Sequence, residues 1–183
     1  MIGLDSLSAV GKYDRSGMAS FIESLPKQCR DAEKIGLLSK IPDSFKAKYR
    51  NIICTGMGGS AIGADIARSY TANEARTPIF VNRNYTLPAF AGKDSLVIAS
   101  SYSGNTEETI SAFKDAAAKG AHIITITSGG ALRDLAVRGS VPAVIIPPGL
   151  PPRAAIGYSF FTLITVLSRI GVMSDKTKDI AEA

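Results

Sequence analysis

Two loops in the middle of the sequence combine the residue types that bind an anion. Residues 55–61 read TGMGGSA and residues 100–106 read SSYSGNT, and each loop leads directly into a segment with helical character. Glycines let the backbone approach a ligand closely, and the free amide groups at the start of a helix attract negative charge. Ser101, Ser103 and Thr106 add three hydroxyl groups to the second loop. The pattern predicts a site for a phosphate monoester, which offers several acceptor oxygens.

The elements that must position these loops are short apolar runs that alternate with helical segments. The runs are rich in β-branched residues and are continuous, which favours strands buried on both faces. They span residues 52–55, 79–81, 96–99, 123–126 and 144–146. The predicted helices span residues 60–70, 106–119, 132–137 and 153–170. Strand-helix alternation predicts an α/β fold in which helices cover a parallel sheet.

The order of the strands decides whether the two loops can meet. In the order 2-1-3-4-5, the first and third strands are neighbours whose connections leave on opposite faces of the sheet. Ligands of open α/β sheets bind in the crevice at such a switch point. Both loops would then border one pocket, and the loop 127–130 would lie on the same edge.

Ordinary helix capping is an alternative interpretation of the second loop. Asn105 and Glu108 have the spacing of a capping box. Glu107 and Glu108 would also stabilise the dipole of the helix that they begin, and we favour this role over a catalytic one. Capping does not explain, however, why both loops at the predicted switch point are enriched in glycine and hydroxyl groups.

A dinucleotide-binding site is a second alternative. Gly56, Gly58 and Ala61 fit the G-x-G-x-x-G/A fingerprint of that fold. An acidic residue would then be expected near the end of the second strand to hold the ribose, but residues 82–84 read NRN. Arg83 would suit a 2′-phosphate, so this alternative is an NADP-dependent oxidoreductase.

One arginine and the only histidine have positions that can be judged from the sequence. Arg153 follows the fifth strand, is preceded by two prolines and is predicted to open the last helix. A cation is slightly disfavoured at a helix start, so a role in ligand binding and a plain surface role both remain open. His122 begins a strand at the opposite end of the sheet from the pocket, which favours a structural role.

Composition and charge argue against several classes of protein. The 183 residues carry 21 Lys and Arg against 16 Asp and Glu, and the basic residues are scattered rather than clustered as in nucleic-acid-binding proteins. One histidine and two cysteines without a CxxC pair predict no metal site. Residues 1–15 do not resemble a signal peptide. The longest apolar-rich stretch, 154–168, is shorter than the roughly 20 residues of a membrane span. We expect a soluble, cytoplasmic protein.

The two ends of the chain are expected to differ from its centre. Residues 1–48 are predicted to form a helical extension and residues 49–172 the α/β domain. Apolar residues cover most of the circumference of the last helix between Phe160 and Ile170, so we expect another chain or a second domain to cover it. Residues 173–183 are polar and charged and are interpreted as a linker.

Four segments carry a resemblance to a known family. They read TGMGGSAIGAD, SSYSGNTEET, ITSGGAL and PPGLPPRAA. Together they resemble the N-terminal sugar isomerase (SIS) domain of the bifunctional phosphoglucose/phosphomannose isomerases, over about residues 50–172. The resemblance implies a flavodoxin-like three-layer α-β-α sandwich around a five-stranded parallel sheet of order 2-1-3-4-5.

The resemblance also implies roles for individual residues. It places phosphate ligands in the second loop and sugar contacts in the first. These implied binding residues are Ser101, Ser103 and Thr106, and Gly58, Gly59 and Ser60. Arg153 matches the family arginine thought to stabilise an enediolate. Ala61 stands where a glycine is common, a difference that a helix start should tolerate.

The implied reaction converts glucose 6-phosphate or mannose 6-phosphate to fructose 6-phosphate by proton transfer between C1 and C2, without a cofactor or metal. Family members carry two SIS domains in tandem, and a glutamate base and a ring-opening histidine come from the second. This chain would be the N-terminal half of a homodimeric enzyme and would bind the phosphosugar with little turnover alone. The alternative is a single SIS domain that senses a sugar phosphate and regulates a partner.

Overall fold

A five-stranded parallel sheet forms the centre of the protein. The computed structural model describes residues 7–182. The strands are β1 (Asn51–Thr55), β2 (Ile79–Asn82), β3 (Ser95–Ser101), β4 (His122–Thr127) and β5 (Ala143–Ile145). Their order is β2-β1-β3-β4-β5, and all four neighbouring pairs are parallel. The predicted strand order is confirmed, so the carboxyl ends of β1 and β3 are adjacent.

The helices fall into three groups along the chain. Those before the sheet are α1 (Leu7–Tyr13), α2 (Met18–Glu23) and α3 (Leu25–Leu38). Those that follow strands are α4 (Gly58–Tyr70), α5 (Glu107–Ala118), α6 (Gly130–Arg138) and α7 (Ile156–Arg169). The last is α8 (Thr177–Glu182). The helical character predicted for the N-terminal extension is thus present in its described part.

The helices form two layers, one on each face of the sheet. Successive side chains of a strand point to opposite faces, so Ile52 and Cys54 of β1 join the core beneath α3, α4 and α7. Ile53 lies in the core beneath α5 and α6, together with Phe113 and Leu132. Fully burying one such side chain contributes roughly 1.5–3 kcal/mol to stability. The three-layer α-β-α sandwich is confirmed.

Burial on both faces holds for the inner strands but not for the edges. All residues of β1 and β3 are buried. In the edge strands, Phe80 of β2 and Ile145 of β5 are 39% and 46% exposed. Phe80 packs on Phe90 of the following connection, with ring centroids 4.7 Å apart. A continuous apolar run therefore predicted the strands correctly but overestimated the cover of the two outer ones.

The last helix is covered mainly by helices of its own chain. Nine of its residues are buried, and its principal neighbours are α3 and α4. Gly36 of α3 lies directly against the side chain of Thr165, which allows a close approach of the two helices. Phe160 and Phe161 are half-buried, as are Ile156, Ser168 and Arg169 at the two ends of the helix. The expectation that another chain or domain must cover this helix is therefore wrong for most of its length, because apolarity indicates burial without identifying the covering element.

The C-terminal segment also packs against the domain. Residues 173–182, interpreted as a linker, include the short helix α8, in which Ile180 is buried. The Nζ of Lys176 lies 2.8 Å from the Oε2 of Glu74, and Lys176 is 8% exposed. One of the charged residues that suggested a solvated linker, Lys176, therefore forms an ion pair with the α/β domain. Ala183 lies outside the described residues.

The expectations about targeting concern the N-terminus and the apolar segments. Residues 1–6, which belong to the segment judged not to be a signal peptide, lie outside the described residues. Between residues 7 and 182, no helix is both long enough and apolar enough to cross a membrane.

Candidate functional site

The two loops predicted to share a pocket lie side by side at the carboxyl edge of the sheet. β1 and β3 pair in register, with Thr55 opposite Ala99, so both loops start at the same level. The backbone amide of Tyr102 donates a hydrogen bond to the Oγ of Ser60, at 3.1 Å. Ser60 is 9% exposed. Its hydroxyl therefore fastens the first loop to the second, in addition to any contact that it makes with a ligand.

The second loop is a preformed turn with polar groups on its outer side. Ser101 is buried, and its Oγ lies 2.9 Å from the Oγ1 of Thr106 and accepts a hydrogen bond from the amide of Gly104. Ser103 is exposed, and its Oγ accepts a hydrogen bond from the amide of Asn105. Thr106 precedes the first turn of α5 and, within the described chain, makes no side-chain capping bond. The first amides of α5 are therefore available to an anion.

Gly104 brings the second loop against the third, which spans residues 127–130. Its φ of +71° is in the left-handed region, and a Cβ at this position would lie 1.8 Å from the carbonyl oxygen of Gly129. Only glycine fits such an approach. The Oδ1 of Asn105 accepts a hydrogen bond from the amide of Ala131 at the start of α6. Asn105 thus binds a neighbouring helix. The capping box with Glu108, considered above as an alternative, does not form because the side chain of Asn105 turns away from its own helix.

Arg153 lies in a tight turn that touches the first loop. A Cβ on Gly59 would lie 2.7 Å from the carbonyl oxygen of Pro152, so the two backbones are in direct contact. Pro152–Ala154 form one turn of 3₁₀ helix, and α7 begins only at Ile156. The prediction that Arg153 opens the last helix is wrong, because the amide of Ala154 bonds to the carbonyl of Pro151 and closes a tighter turn. Arg153 itself is exposed.

The charge of Arg153 is not neutralised by the residues around it. Among residues 7–182, no carboxylate forms a salt bridge with it. The turn that carries it is held from behind by Gln28 of α3, whose Nε2 donates a 2.9 Å hydrogen bond to the carbonyl of Ala154. The site therefore presents one cation, two glycine-containing loops, several hydroxyl groups and a helix start on one edge of the sheet. This is a polar, anion-accepting arrangement.

The sequence of this chain is similar to proteins of one known family. Residues 46–133 match the SIS domain family. The bifunctional phosphoglucose/phosphomannose isomerase of Caldicellulosiruptor bescii is 44% identical over 166 residues, which are 90% of this chain and 48% of that protein. The protein of the same name from Aquifex aeolicus is 39% identical over 135 residues, 73% of this chain and 41% of that protein.

This chain contains an SIS domain and is similar to the bifunctional phosphoglucose/phosphomannose isomerases. It spans less than half the length of these two relatives. Among solved structures, tagatose-6-phosphate ketose/aldose isomerase from Escherichia coli aligns with a TM-score of 0.70 at 21% identity, over 90% of this chain and 50% of that chain. The C-terminal domain of glucosamine-fructose-6-phosphate aminotransferase from Francisella tularensis aligns with a TM-score of 0.67 at 18% identity, over 90% of this chain and 51% of that chain. These structures support the fold of the SIS domain.

The groups that suggested other functions have structural partners in the SIS domain. Arg83, the candidate ligand of an NADP 2′-phosphate, forms an ion pair with Asp65 of α4. His122 lies between the rings of Phe45 and Tyr49, each with its centroid 5.4 Å away, at the opposite end of the sheet from the loops. This position confirms its structural role. Within the described chain, no cluster of three His, Cys, Asp or Glu side chains could hold a metal ion.

Acidic and thiol groups near the loops also have plain structural roles. Glu107 and Glu108 occupy the first turn of α5, as predicted for dipole stabilisation. Their negative charges, that of Glu108 above all, raise the pKa of the exposed Tyr85. Cys54 lies beneath the first loop, and burial raises the pKa of its thiol to about 12. The thiol is therefore neutral at physiological pH and unsuited to act as a nucleophile.

Two residues that shape the site were missed by sequence reasoning. Gln28 lies in the N-terminal extension, 125 positions before Arg153, and no local pattern links the two. Tyr102 stands inside the second loop, but its side chain reaches the segment before Arg153 instead of the ligand-facing side. An aromatic residue inside a polar loop was the available signal for Tyr102. The sequence contains no signal for Gln28.

Proposed function

We propose that this chain binds a six-carbon sugar phosphate as the N-terminal SIS half of an aldose-ketose isomerase. The reaction interconverts glucose 6-phosphate or mannose 6-phosphate with fructose 6-phosphate. The observation that carries the proposal is the contact of Gly59 with Pro152, which places the turn of Arg153 on the edge where the two loops meet. A phosphate group and the reacting end of the same sugar can then be held from one edge of the sheet.

The second loop binds the phosphate in this proposal. Ser103 and Thr106 donate hydroxyl hydrogens, and the first amides of α5 point their hydrogens to the same place. Ser101 is buried, so it acts both on the phosphate and on the orientation of Thr106. A helix start with hydroxyl donors suits a doubly charged ester, because hydrogen bonds to an ionised acceptor are roughly twice as strong as neutral ones.

The first loop and Arg153 act on the sugar. Gly58 and Gly59 let the backbone approach the hydroxyl groups, and Ser60 holds the loop in place. A carboxylate base removes the C2 proton of the open-chain aldose, and reprotonation at C1 gives the ketose. Arg153 offsets the negative charge that develops on the enediolate oxygens between these two steps. The base and the ring-opening group are proposed to come from a second SIS domain.

Phosphosugar titration tests the proposal directly. We expect the 183-residue chain to bind glucose 6-phosphate and fructose 6-phosphate in isothermal titration calorimetry, and not glucose. Ser103→Ala should weaken the binding of both sugar phosphates by about 1–2 kcal/mol, because a hydroxyl donor is lost. Ser140→Ala, at the opposite edge of the sheet, should leave both affinities unchanged. Equal affinity for glucose and glucose 6-phosphate would refute the phosphate site.

Turnover separates the isomerase from a binding module. We expect little conversion of glucose 6-phosphate to fructose 6-phosphate by this chain alone and a large gain when a second SIS domain is supplied. Conversion at the full rate by the chain alone would place the base within it. Tight phosphosugar binding with no turnover under any pairing would favour a sensing domain that regulates a partner. The unpaired thiols of Cys29 and Cys54 suit the reducing cytoplasm, where we propose that the protein acts.

The remaining apolar surface supports an assembled form. A cleft of about 290 Å³ is lined by Ile66 and Tyr70 of α4 and by Phe160 and Phe161 of α7. Ile66 and Tyr70 are 39% and 44% exposed. We propose that a second copy of the chain or a second SIS domain covers this cleft. Ile66→Glu should then lower the mass measured by light scattering, whereas Ile22→Glu, on α2, should not.

A further inference from the structure

The backbone of Tyr102 joins three of the loops at the carboxyl edge of the sheet. Its amide donates to the Oγ of Ser60 in the first loop. Its carbonyl oxygen accepts hydrogen bonds from both the amide and the hydroxyl of Ser128 in the third loop. The position of Tyr102 is therefore determined by the same loops that border the candidate phosphate site.

The side chain of Tyr102 reaches a fourth loop, which leads to Arg153. Its hydroxyl donates to the carbonyl oxygen of Pro147 and accepts from the amide of Leu150, both at 2.9 Å. Partial burial raises the pKa of this hydroxyl, which keeps the proton that it donates. The two hydrogen bonds close a bridge over residues 147–150.

This bridge matters because the segment has few other means of attachment. Four of the six residues from Pro147 to Pro152 are prolines, which have no amide hydrogen, so only Gly149 and Leu150 can donate a backbone hydrogen bond. The chain leaves the sheet after Ile146, whose amide bonds to the carbonyl of Thr127. Pro148 and Gly149 are exposed. The hydroxyl of Tyr102 thus supplies both the acceptor for Leu150 and the donor for Pro147.

We propose that Tyr102 is a positioning residue for Arg153. Its hydroxyl fixes the segment 147–150 to the loop that holds the phosphate, and the rigid prolines at positions 151 and 152 transmit that position to the guanidinium group. The inference rests on the proposed function for the role of Arg153. It adds that the hydroxyl of one tyrosine helps to set the distance between the phosphate and the reacting end of the sugar, together with the contacts of Gln28 and Gly59.

Amide hydrogen exchange tests the structural step without any ligand. In the 183-residue chain, Tyr102→Phe keeps the ring and removes the hydroxyl. We expect the exchange of the Leu150 amide to become at least fivefold faster relative to the amides of β3, which report global opening. Tyr49→Phe is the matched control, since Tyr49 is buried and its hydroxyl donates to the carbonyl of Phe45 at the opposite edge. An unchanged Leu150 rate, or an equal rise in the control, would overturn the proposal.

Ligand binding tests the step from the segment to Arg153. The probes are inorganic phosphate and a five-carbon aldonic acid phosphate, whose carboxylate imitates the enediolate. We expect Tyr102→Phe to lower the affinity for the aldonic acid phosphate five- to tenfold and the affinity for inorganic phosphate less than twofold. In a protein that already carries Arg153→Ala, Tyr102→Phe should cause no further loss of affinity for either probe. Equal losses for both probes, or additive losses in the double variant, would overturn the positioning role. If the unmodified chain binds neither probe, the proposed function fails, and the exchange of Leu150 still decides whether Tyr102 holds the segment.

Discussion

The Nε2 of Gln28 and the carbonyl oxygen of Ala154 form a 2.9 Å hydrogen bond between the N-terminal extension and the turn that carries Arg153. Gln28 is 2% exposed, and its Nε2 also lies 3.1 Å from the Oγ of Ser24. The extension therefore supports the site as well as covering α7. It is part of the same packed unit as the α/β domain.

Removing this hydrogen bond should destabilise the protein and loosen the turn. Gln28→Met keeps a long, unbranched side chain but leaves the buried carbonyl of Ala154 without its donor, which should cost about 1–3 kcal/mol. The free energy of unfolding in urea measures the loss. Leu38→Ala, at an 81% exposed position of the same helix, should change it by less than about 0.5 kcal/mol. An unchanged midpoint for Gln28→Met would contradict the supporting role of the extension.

Gly104 should tolerate no side chain. Gly104→Ala places a Cβ 1.8 Å from the carbonyl oxygen of Gly129, so the second and third loops must separate. We expect a destabilisation of about 3 kcal/mol or more and the loss of phosphosugar binding. Gly120→Ala is the matched control, because Gly120 has a similar φ of +67° and nothing within 4 Å of its added Cβ. It should cost only the left-handed strain, about 1–2 kcal/mol, and should keep binding. Equal effects would show that the contact with Gly129 is unimportant.

Asp115 predicts a pH dependence of stability. Its Oδ2 accepts from the Nζ of Lys119, at 2.7 Å, and from the amide of Leu87, at 2.8 Å. These contacts, that with Lys119 first, hold the pKa of Asp115 below its usual value of 3.8. The ionised group therefore stabilises the folded state above about pH 4, and this contribution is lost as the pH falls through the lowered pKa.

The variant Asp115→Asn isolates this contribution. At pH 7 it should be less stable than the unmodified protein by less than about 1 kcal/mol, because the ion pair is partly exposed and screened by solvent. The difference should shrink as the pH is lowered below 4, since protonation removes the same charge. Urea unfolding between pH 3 and 7 measures it. Asp134→Asn, in an exposed pair with Arg133, should show little difference at any pH. A constant gap for Asp115→Asn would contradict the ion-pair origin.

Arg153→Ala should affect the transition state more than the ground state. In an active two-domain isomerase, loss of the guanidinium group should lower kcat by about 10²-fold or more, with KM within a few-fold. Arg153→Lys should recover part of kcat, because the charge is kept but the planar donor pair is lost. Arg133→Ala, on the exposed side of α6, serves as the control. A normal kcat for Arg153→Ala would remove the assigned role.

The sequence by itself determined the strands and the loops that follow them, and the resemblance to a known family supplied the strand order in which two of these loops meet. Continuous β-branched runs, glycine-containing loops and helical segments are local patterns, and the rules of parallel sheets convert them into a crevice. The same local patterns located Ser101, Ser103, Thr106 and Arg153 at one edge. They also overestimated the burial of the edge strands, because the hydrophobicity of a strand does not indicate how many other elements pack against it.

Only the tertiary structure decided how these residues are held. Gln28 and Tyr102 act through hydrogen bonds to residues 126 and 48 positions away. Asn105 binds α6 instead of its own helix, and α3 covers α7 in place of an outside partner. Each of these contacts depends on which elements become neighbours in three dimensions. The type of a residue determines which hydrogen bonds its side chain can donate or accept. Which of many possible partners it binds is determined only by the packing of the folded chain.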